Sequence, residues 1–202
     1  MRGMRRRMMK NATVVVSCPQ KSPGWISTGI NSGSDLAVEM KIKMNSIGNQ
    51  CLWCSRTYLD LNTHTSFIIY SSFRFDVGDK RIMIGTNVKL VIGEEYVFKV
   101  KDNYIYINGN KEASYDGKIL TTSCPVYLFA SATNTITDTP NGNVAAYTIY
   151  YAKIWKGNKL VRDFIPLASG TIIRGKILTK DALYDKITNT LYYYNTSFTE
   201  KI

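Results

Sequence analysis

Histidine is almost missing from this 202-residue sequence, where His64 is the single example. A Ser-His-Asp or Cys-His arrangement could form only around it, and its Thr-rich surroundings, with Asp60 the nearest acid, read as a solvated loop. Long apolar runs are missing as well. No 18-residue span is apolar enough to cross a membrane as a helix. Behind the basic N-terminus the apolar run is only Ala12 to Val16, too short for a secretory signal, so no signal peptide is expected. Cysteine is sparse and irregular: Cys18, Cys51, Cys54 and Cys124 do not space like a disulfide framework. Reduced, buried thiols in a cytoplasmically assembled protein are the expectation. Cys51-Leu52-Trp53-Cys54 is a lone CxxC without histidines at ligand spacing, and on a regular strand residues three apart face opposite sides, so it is read as packing. Helical periodicity, internal repeats and low-complexity linkers are also lacking.

What the chain does have is aromatic and apolar residues in short alternating runs. Fourteen tyrosines and an apolar fraction of 45% belong to a folded chain. Leu36 to Met44 alternates strictly, with Leu36, Val38, Met40, Ile42 and Met44 against Ala37, Glu39, Lys41 and Lys43, which predicts a strand with one face in the core. Further strands are expected at Thr13 to Ser17, Cys51 to Ser55, Ser66 to Tyr70, Phe73 to Val77, Arg81 to Ile84, Lys89 to Ile92, Tyr96 to Val100, Tyr104 to Ile107, Val126 to Ala132 and Leu191 to Tyr194. Asp60 to Thr65 reads as a polar connection. Asn108-Gly109 supplies the two positive-φ residues a tight turn requires. In the stretch from Ala145 onward, Tyr147, Ile149 and Tyr151 recur at every second position as one buried face, and Gly157-Asn158 turns the chain into a second apolar run, Leu160 to Ile165. About a dozen short strands predict an all-β, two-sheet antiparallel sandwich, residues 13–202, preceded by a basic arm, residues 1–12.

The wording of the chain adds to this pattern. Trp25-Ile26-Ser27-Thr28-Gly29-Ile30, the hairpin Phe98 to Gly109, Tyr-Tyr-Ala-Lys-Ile-Trp ending at Trp155, Leu160-Val161-Arg162-Asp163-Phe164-Ile165-Pro166, Leu183-Tyr184-Asp185-Lys186 and Asn195 resemble concanavalin A-like (LamG-like) jelly-roll domains. Such domains occur in tailed-phage virion proteins and gut-bacterial surface proteins. The resemblance implies a jelly roll in which Asp185 ties the C-terminal loop to the sheet, behind the extended basic arm of residues 1–12. It implies no activity. Endo-glucanases with this fold carry Glu-x-Asp-x-Glu on one strand, whereas the only paired glutamates here, Glu94-Glu95, are adjacent and would point apart. No enzyme is expected.

Charge points to partners. Lys and Arg total 26 against 15 acids, and five of the basic residues lie in the first ten, which leaves +6 of the net +11 for the body. Arg2, Arg5, Arg6, Arg7, Met8, Met9 and Lys10 form the candidate anchor. The arginines could neutralise phosphates, but the interspersed methionines give the arm something to bury, which favours insertion between protein subunits over nucleic acid. Ordering such an arm costs about 1 kcal/mol or more per residue, so docking on a partner chain is expected. Taken with the basic arm, the resemblance implies a non-enzymatic auxiliary or decoration subunit of a tailed-phage virion, assembled in the host cytoplasm and anchored to the capsid or another virion subunit. The alternative is a glycan-binding adhesion module that stacks sugars on exposed aromatics. Its candidate residues are Trp25, Trp53 and Tyr193, with Trp155 and the rest of the Tyr192-Tyr193-Tyr194 cluster, and, in the long polar loop, Thr133, Asn134, Asp138 and Asn141. No cofactor is expected beyond a calcium ion held by loop carboxylates, for which Asp138, Asp76 and Asp79 are the candidates.

Overall fold

Alternation from Leu36 to Met44 does become a strand, β3 (Leu36–Met44), with its five even-numbered residues buried and Glu39, Lys41 and Lys43 half-buried on the other side. The computed structural model describes residues 16–17, 24–48, 50–57, 60–69, 72–78, 80–84, 88–116, 119, 121–122, 124–130, 147–195 and 199–202, with side chains for all of these but 16–17, 56–57 and 60–64.

Around β3 lies the larger of two antiparallel sheets. From edge to edge it runs β10 (Asn110–Ser114), β9 (Tyr104–Ile107), β8 (Glu95–Lys101), β3, β12 (Tyr147–Lys156), β13 (Lys159–Leu167), β16 (Ala182–Asp185), β17 (Thr190–Tyr193) and β18 (Thr199–Lys201). The short β1 (Val16–Ser17) pairs with the start of β12. The smaller sheet runs β2 (Ile26–Asn31), β11 (Pro125–Leu128), β4 (Gln50–Thr57), β5 (Asp60–Ile69), β6 (Phe73–Val77) and β7 (Lys80–Ile84). A separate two-stranded ribbon joins β14 (Ile172–Ile173) to β15 (Lys176–Ile177). No described residue is helical.

The inner faces meet in one apolar core. Phe67, Phe73 and Phe98 pack with ring centres 4.8 to 6.4 Å apart, and Phe75 joins them through Phe67 at 6.1 Å. Truncating such a fully buried ring costs about 3 to 5 kcal/mol, from lost transfer free energy and from the cavity it leaves. The tight turns have the expected chemistry. Asn108 (φ 52°) and Gly109 (φ 84°) turn β9 into β10, and Asp102 (φ 52°) and Asn103 (φ 63°) turn β8 into β9. Of Gly157-Asn158 only Gly157 takes a positive φ, 57°, the pattern of a turn needing glycine at its first central position.

Three expectations are corrected. Asp60 to Thr65 is not a loop: β5 begins at Asp60 and pairs with β4, so the backbone of this polar stretch belongs to a ladder. Lys89 to Ile92 is not a strand; Val91 and Ile92 are exposed in the approach to β8, where Gly93 takes a φ of 91°. In β12 the register slips between Ile149 and Tyr151, a bulge that turns Tyr151 out of the core and lets Ala152 and Ile154 carry the buried face.

Beyond β13 the larger sheet is buried on both faces. Leu183 and Tyr192 join the main core, while Ala182, Tyr184 and Leu191 pack with Leu167, Ile173 and Leu178 into a second cluster on the far side. Asp185 locks this region. Fully buried, it accepts hydrogen bonds from the Asp163 amide (2.9 Å), the Ile187 amide (3.1 Å) and the Thr188 hydroxyl (2.6 Å). The Arg162 guanidinium stands 3.7 Å from Asp185 and donates to the Thr28 carbonyl (3.0 Å), so one cation ties both sheets to the β16–β17 turn. Nearby, Trp25 and Asn195 exchange hydrogen bonds, a 3.1 Å bond from the Trp25 amide to the Asn195 side chain and a 3.0 Å bond from the Asn195 amide to the Trp25 carbonyl. The signature residues at both ends of the chain thus meet in one closure.

Candidate functional site

The arm, Arg2, Arg5, Arg6, Arg7, Met8, Met9 and Lys10, and the loop residues Thr133, Asn134, Asp138 and Asn141 fall outside the described residues, as does Asp79. Trp53 is only 2% exposed and packs on Phe75 at 5.9 Å, because β4 directs it between the sheets; it is core and offers no stacking surface. Trp25 is half-buried, edge-on to Tyr127 at 5.6 Å. Tyr193 is half-buried against the second cluster and its hydroxyl donates to Glu200 (3.1 Å). Asp76 is 3% exposed, on β6 rather than in a loop, and held by Arg74 (2.7 Å) and Arg81 (3.6 Å). Among the described residues no three His, Cys, Asp or Glu side chains group as a metal site.

The CxxC is packing, as its spacing suggested, but its parity differs. A bulge between Cys51 and Trp53 shifts the parity of β4, so Cys51 and Cys54 share one side with Ile68 in a small apolar cluster. Cys51, Cys54 and Cys124 are buried. Burial, then the hydrogen bond with the Cys54 thiol, pushes the Cys51 thiol well up, which makes it a poor nucleophile.

The open face of the larger sheet holds the best-built surface. Strand pairing sets side chains in rows across it: Lys153 beside Glu39, Glu39 beside Lys99, Lys99 beside Tyr106, and Tyr106 beside Lys111. Cross-strand neighbours at this spacing interact directly. Glu39 is the hub, pairing with the Lys99 ammonium (3.0 Å) and accepting from the Tyr151 hydroxyl (3.0 Å). Burial, then the Glu39 carboxylate, pushes the Tyr151 hydroxyl up, so it stays protonated and donates. Lys99 also lies 5.4 Å from the centre of the Trp155 ring. On the flank, Lys111 stands 3.3 Å over Tyr104, whose ring meets Tyr106 edge-on at 6.4 Å.

The bulge in β12 matters here, because it places consecutive tyrosines on the open side. Tyr150 lies under the Lys41 ammonium (4.9 Å) and Tyr151 under that of Lys153 (5.1 Å). Lys41 also pairs with Glu95 at 2.7 Å, and this hydrogen bond, followed by one from Tyr150, holds the Glu95 carboxyl below its usual range. Between β3, β8 and β9 a shallow cleft of about 410 Å³ is lined by Glu39, Val97, Lys99, Lys101, Asp102 and Tyr106, with Gly109 at one end. Donors, acceptors and an aromatic ring thus converge on an opening the size of one small polar ligand.

Of this group, sequence reasoning had named only Trp155 as a binding candidate. Outward positions of β3, β8 and β9 were legible as strand faces, but that Glu39, Lys99 and Tyr106 form one row depends on the β3–β8 pairing, which sequence does not disclose.

No family model matches the sequence, and no curated protein does. Solved structures do. A native heptameric SAP-like pentraxin from Limulus polyphemus is 16% identical, over 70% of this chain and 75% of that one, with a TM-score of 0.55. A proposed carbohydrate-binding protein from Bacteroides ovatus is 13% identical, over 90% of this chain, with a TM-score of 0.59. This chain spans 58% of the length of the latter. At such identities the shared property is the fold: the chain is a concanavalin A-like, LamG-like jelly-roll sandwich.

Proposed function

We propose that the chain is a glycan-binding module that holds a sugar chain on the open face of its larger sheet. One observation carries this reading. The cleft between β3, β8 and β9 sets the Tyr106 ring beside two carboxylates, Glu39 and Asp102, and two ammonium groups, Lys99 and Lys101. A pyranose asks for that combination: its apolar face stacks on an aromatic ring, while its hydroxyls both donate and accept. The fold likeness to the proposed carbohydrate-binding protein of Bacteroides ovatus supports it. Neither a nucleophile-base pair nor a metal is required for binding, and the reading is of a binding module rather than an enzyme.

A glycan array probed with the wild-type chain and with Tyr106→Ala tests it. Bound sugars that are lost or weakened in the variant support the cleft; an array blank for both ends the proposal. The virion-subunit reading rests on the basic arm, residues 1–12, outside the described residues, and neither the described structure nor the comparisons support it; glycan binding takes its place as the leading reading.

A further inference from the structure

We infer that the glycan recognised is acidic, a chain bearing carboxylate groups such as a polyuronate; this rests on the glycan-binding reading above. The open face is built of lysines. Lys41, Lys43, Lys99, Lys101, Lys111 and Lys153 project from its strands or strand ends, against the carboxylates of Glu39, Glu95, Asp163 and Asp102, the last 3.7 Å from Lys101. The excess is two positive charges on one side of one sheet. It is also not spent internally: Lys153 forms no ion pair with any described residue, and Lys111 is held only over the Tyr104 ring. A face of one sign raises the local concentration of ligands of the other.

Position within the cleft narrows the class. Lys99 and Lys101 are neighbours on the same side of β8, and both line the cleft with Tyr106, which sits opposite Lys99 on β9. A ring stacked on Tyr106 would bring a carboxylate substituent within reach of either ammonium. Glu39 compensates Lys99 through a single oxygen, its other oxygen being taken by Tyr151, which leaves protons on the ammonium to donate elsewhere. Asp102 and Glu39 meanwhile accept from hydroxyls. This last feature separates a polyuronate from nucleic acid, which shares the taste for lysines and aromatic rings but has a phosphodiester backbone without donors; two carboxylates in the cleft would repel it. A uronate ring carries one carboxylate and several hydroxyls and matches both halves of the lining.

The test uses the full chain and three soluble polyuronates, polygalacturonate, alginate and hyaluronan, beside methyl-esterified polygalacturonate, dextran sulfate and a thymidine oligonucleotide. At least one polyuronate is expected to bind, and its affinity should fall steeply between about 50 and about 500 mM salt as screening sets in. If that one is polygalacturonate, its ester should bind about tenfold more weakly or worse. Lys99→Gln with Lys101→Gln should lower affinity for the bound uronate by about tenfold, with thermal unfolding unchanged to certify the fold. Neutral glycans bound as tightly as every uronate would overturn the inference and leave the glycan-binding reading standing. Dextran sulfate or the oligonucleotide bound as tightly as the best uronate would also overturn it, by showing a general polyanion surface. Failure of every sugar on the array would remove both readings.

Discussion

The two sheets turn very different backs to the outside. On the larger sheet, β3 and β8 turn lysines, glutamates and Val97 outward in regular alternation with buried residues. On the smaller sheet the outward residues of β4, β5 and β6 are buried as well: Cys51 is 0%, Cys54 2%, Ser66 3%, Ile68 7% and Asp76 3% exposed. The difference shows in how each strand reads. A strand open on one side alternates, whereas one covered on both sides reads as a nearly unbroken apolar run, as Cys51-Leu52-Trp53-Cys54 and Phe67-Ile68-Ile69 do. Alternation along a strand of this fold therefore marks the side available to a ligand.

The contrast can be broken most severely with one charge. Ile68→Lys forces an ammonium into the covered face and should cost about 3 kcal/mol or more, or prevent folding, whereas Val97→Lys on the open face should stay within about 0.5 kcal/mol. Urea unfolding of the pair measures both, and equal losses would show that the two faces are not different. A second pair removes a carboxylate instead. Asp76→Ala removes the carboxylate that pairs with Arg74, whose side chain is 14% exposed, and should cost about 3 kcal/mol; Glu95→Ala, at 45% exposure, should cost under about 1 kcal/mol. Next comes binding: Tyr106→Ala should weaken glycan affinity by about tenfold, or about 1.4 kcal/mol, with little change in stability, while Cys54→Ala should leave affinity untouched; titration calorimetry reads both.

The smallest effect lies in alkaline solution. Burial first, and then the Asp102 charge, pushes the Tyr115 hydroxyl to about 12, against the Asn103 hydrogen bond that lowers it. A pKa raised on folding contributes stability that is complete below the unfolded value near 10 and is lost as pH rises from there towards 12. Cys51, also raised, begins the same decline from about 8.5. Unfolding free energies at pH 8, 9, 10 and 11 should fall along the series, and Tyr115→Phe should flatten the last step. A slope unchanged in Tyr115→Phe would assign the decline to other groups.

How much of this was visible in the sequence follows from where the information resides. β3, the Asn108-Gly109 turn and the clamp residues Arg162, Asp163, Asp185 and Asn195 were legible, since each is specified by local alternation, turn chemistry or a motif. Trp53 was misplaced because a tryptophan between two cysteines gives no sign of which sheet face it takes. Tyr151 was misassigned because one bulged residue inverts every later side chain of a strand. The Glu39–Lys99–Tyr106 row was invisible for another reason: 60 residues separate Glu39 from Lys99 in sequence, and only the pairing of β3 with β8 makes them neighbours.

The hydrogen bonds between Trp25 and Asn195 span 170 residues, and β3 cannot acquire its β12 neighbour until residue 156 exists. During synthesis, then, the smaller sheet and the β8–β9–β10 hairpins can be complete while the central ladder of the larger sheet still lacks one side. The central ladder must wait for β12, and non-local pairing of this kind places folding at the slow, millisecond-to-second end of the scale for single domains. Until β12 emerges, β3 presents an unpaired edge, and the nascent chain is at its most vulnerable to pairing with a neighbour.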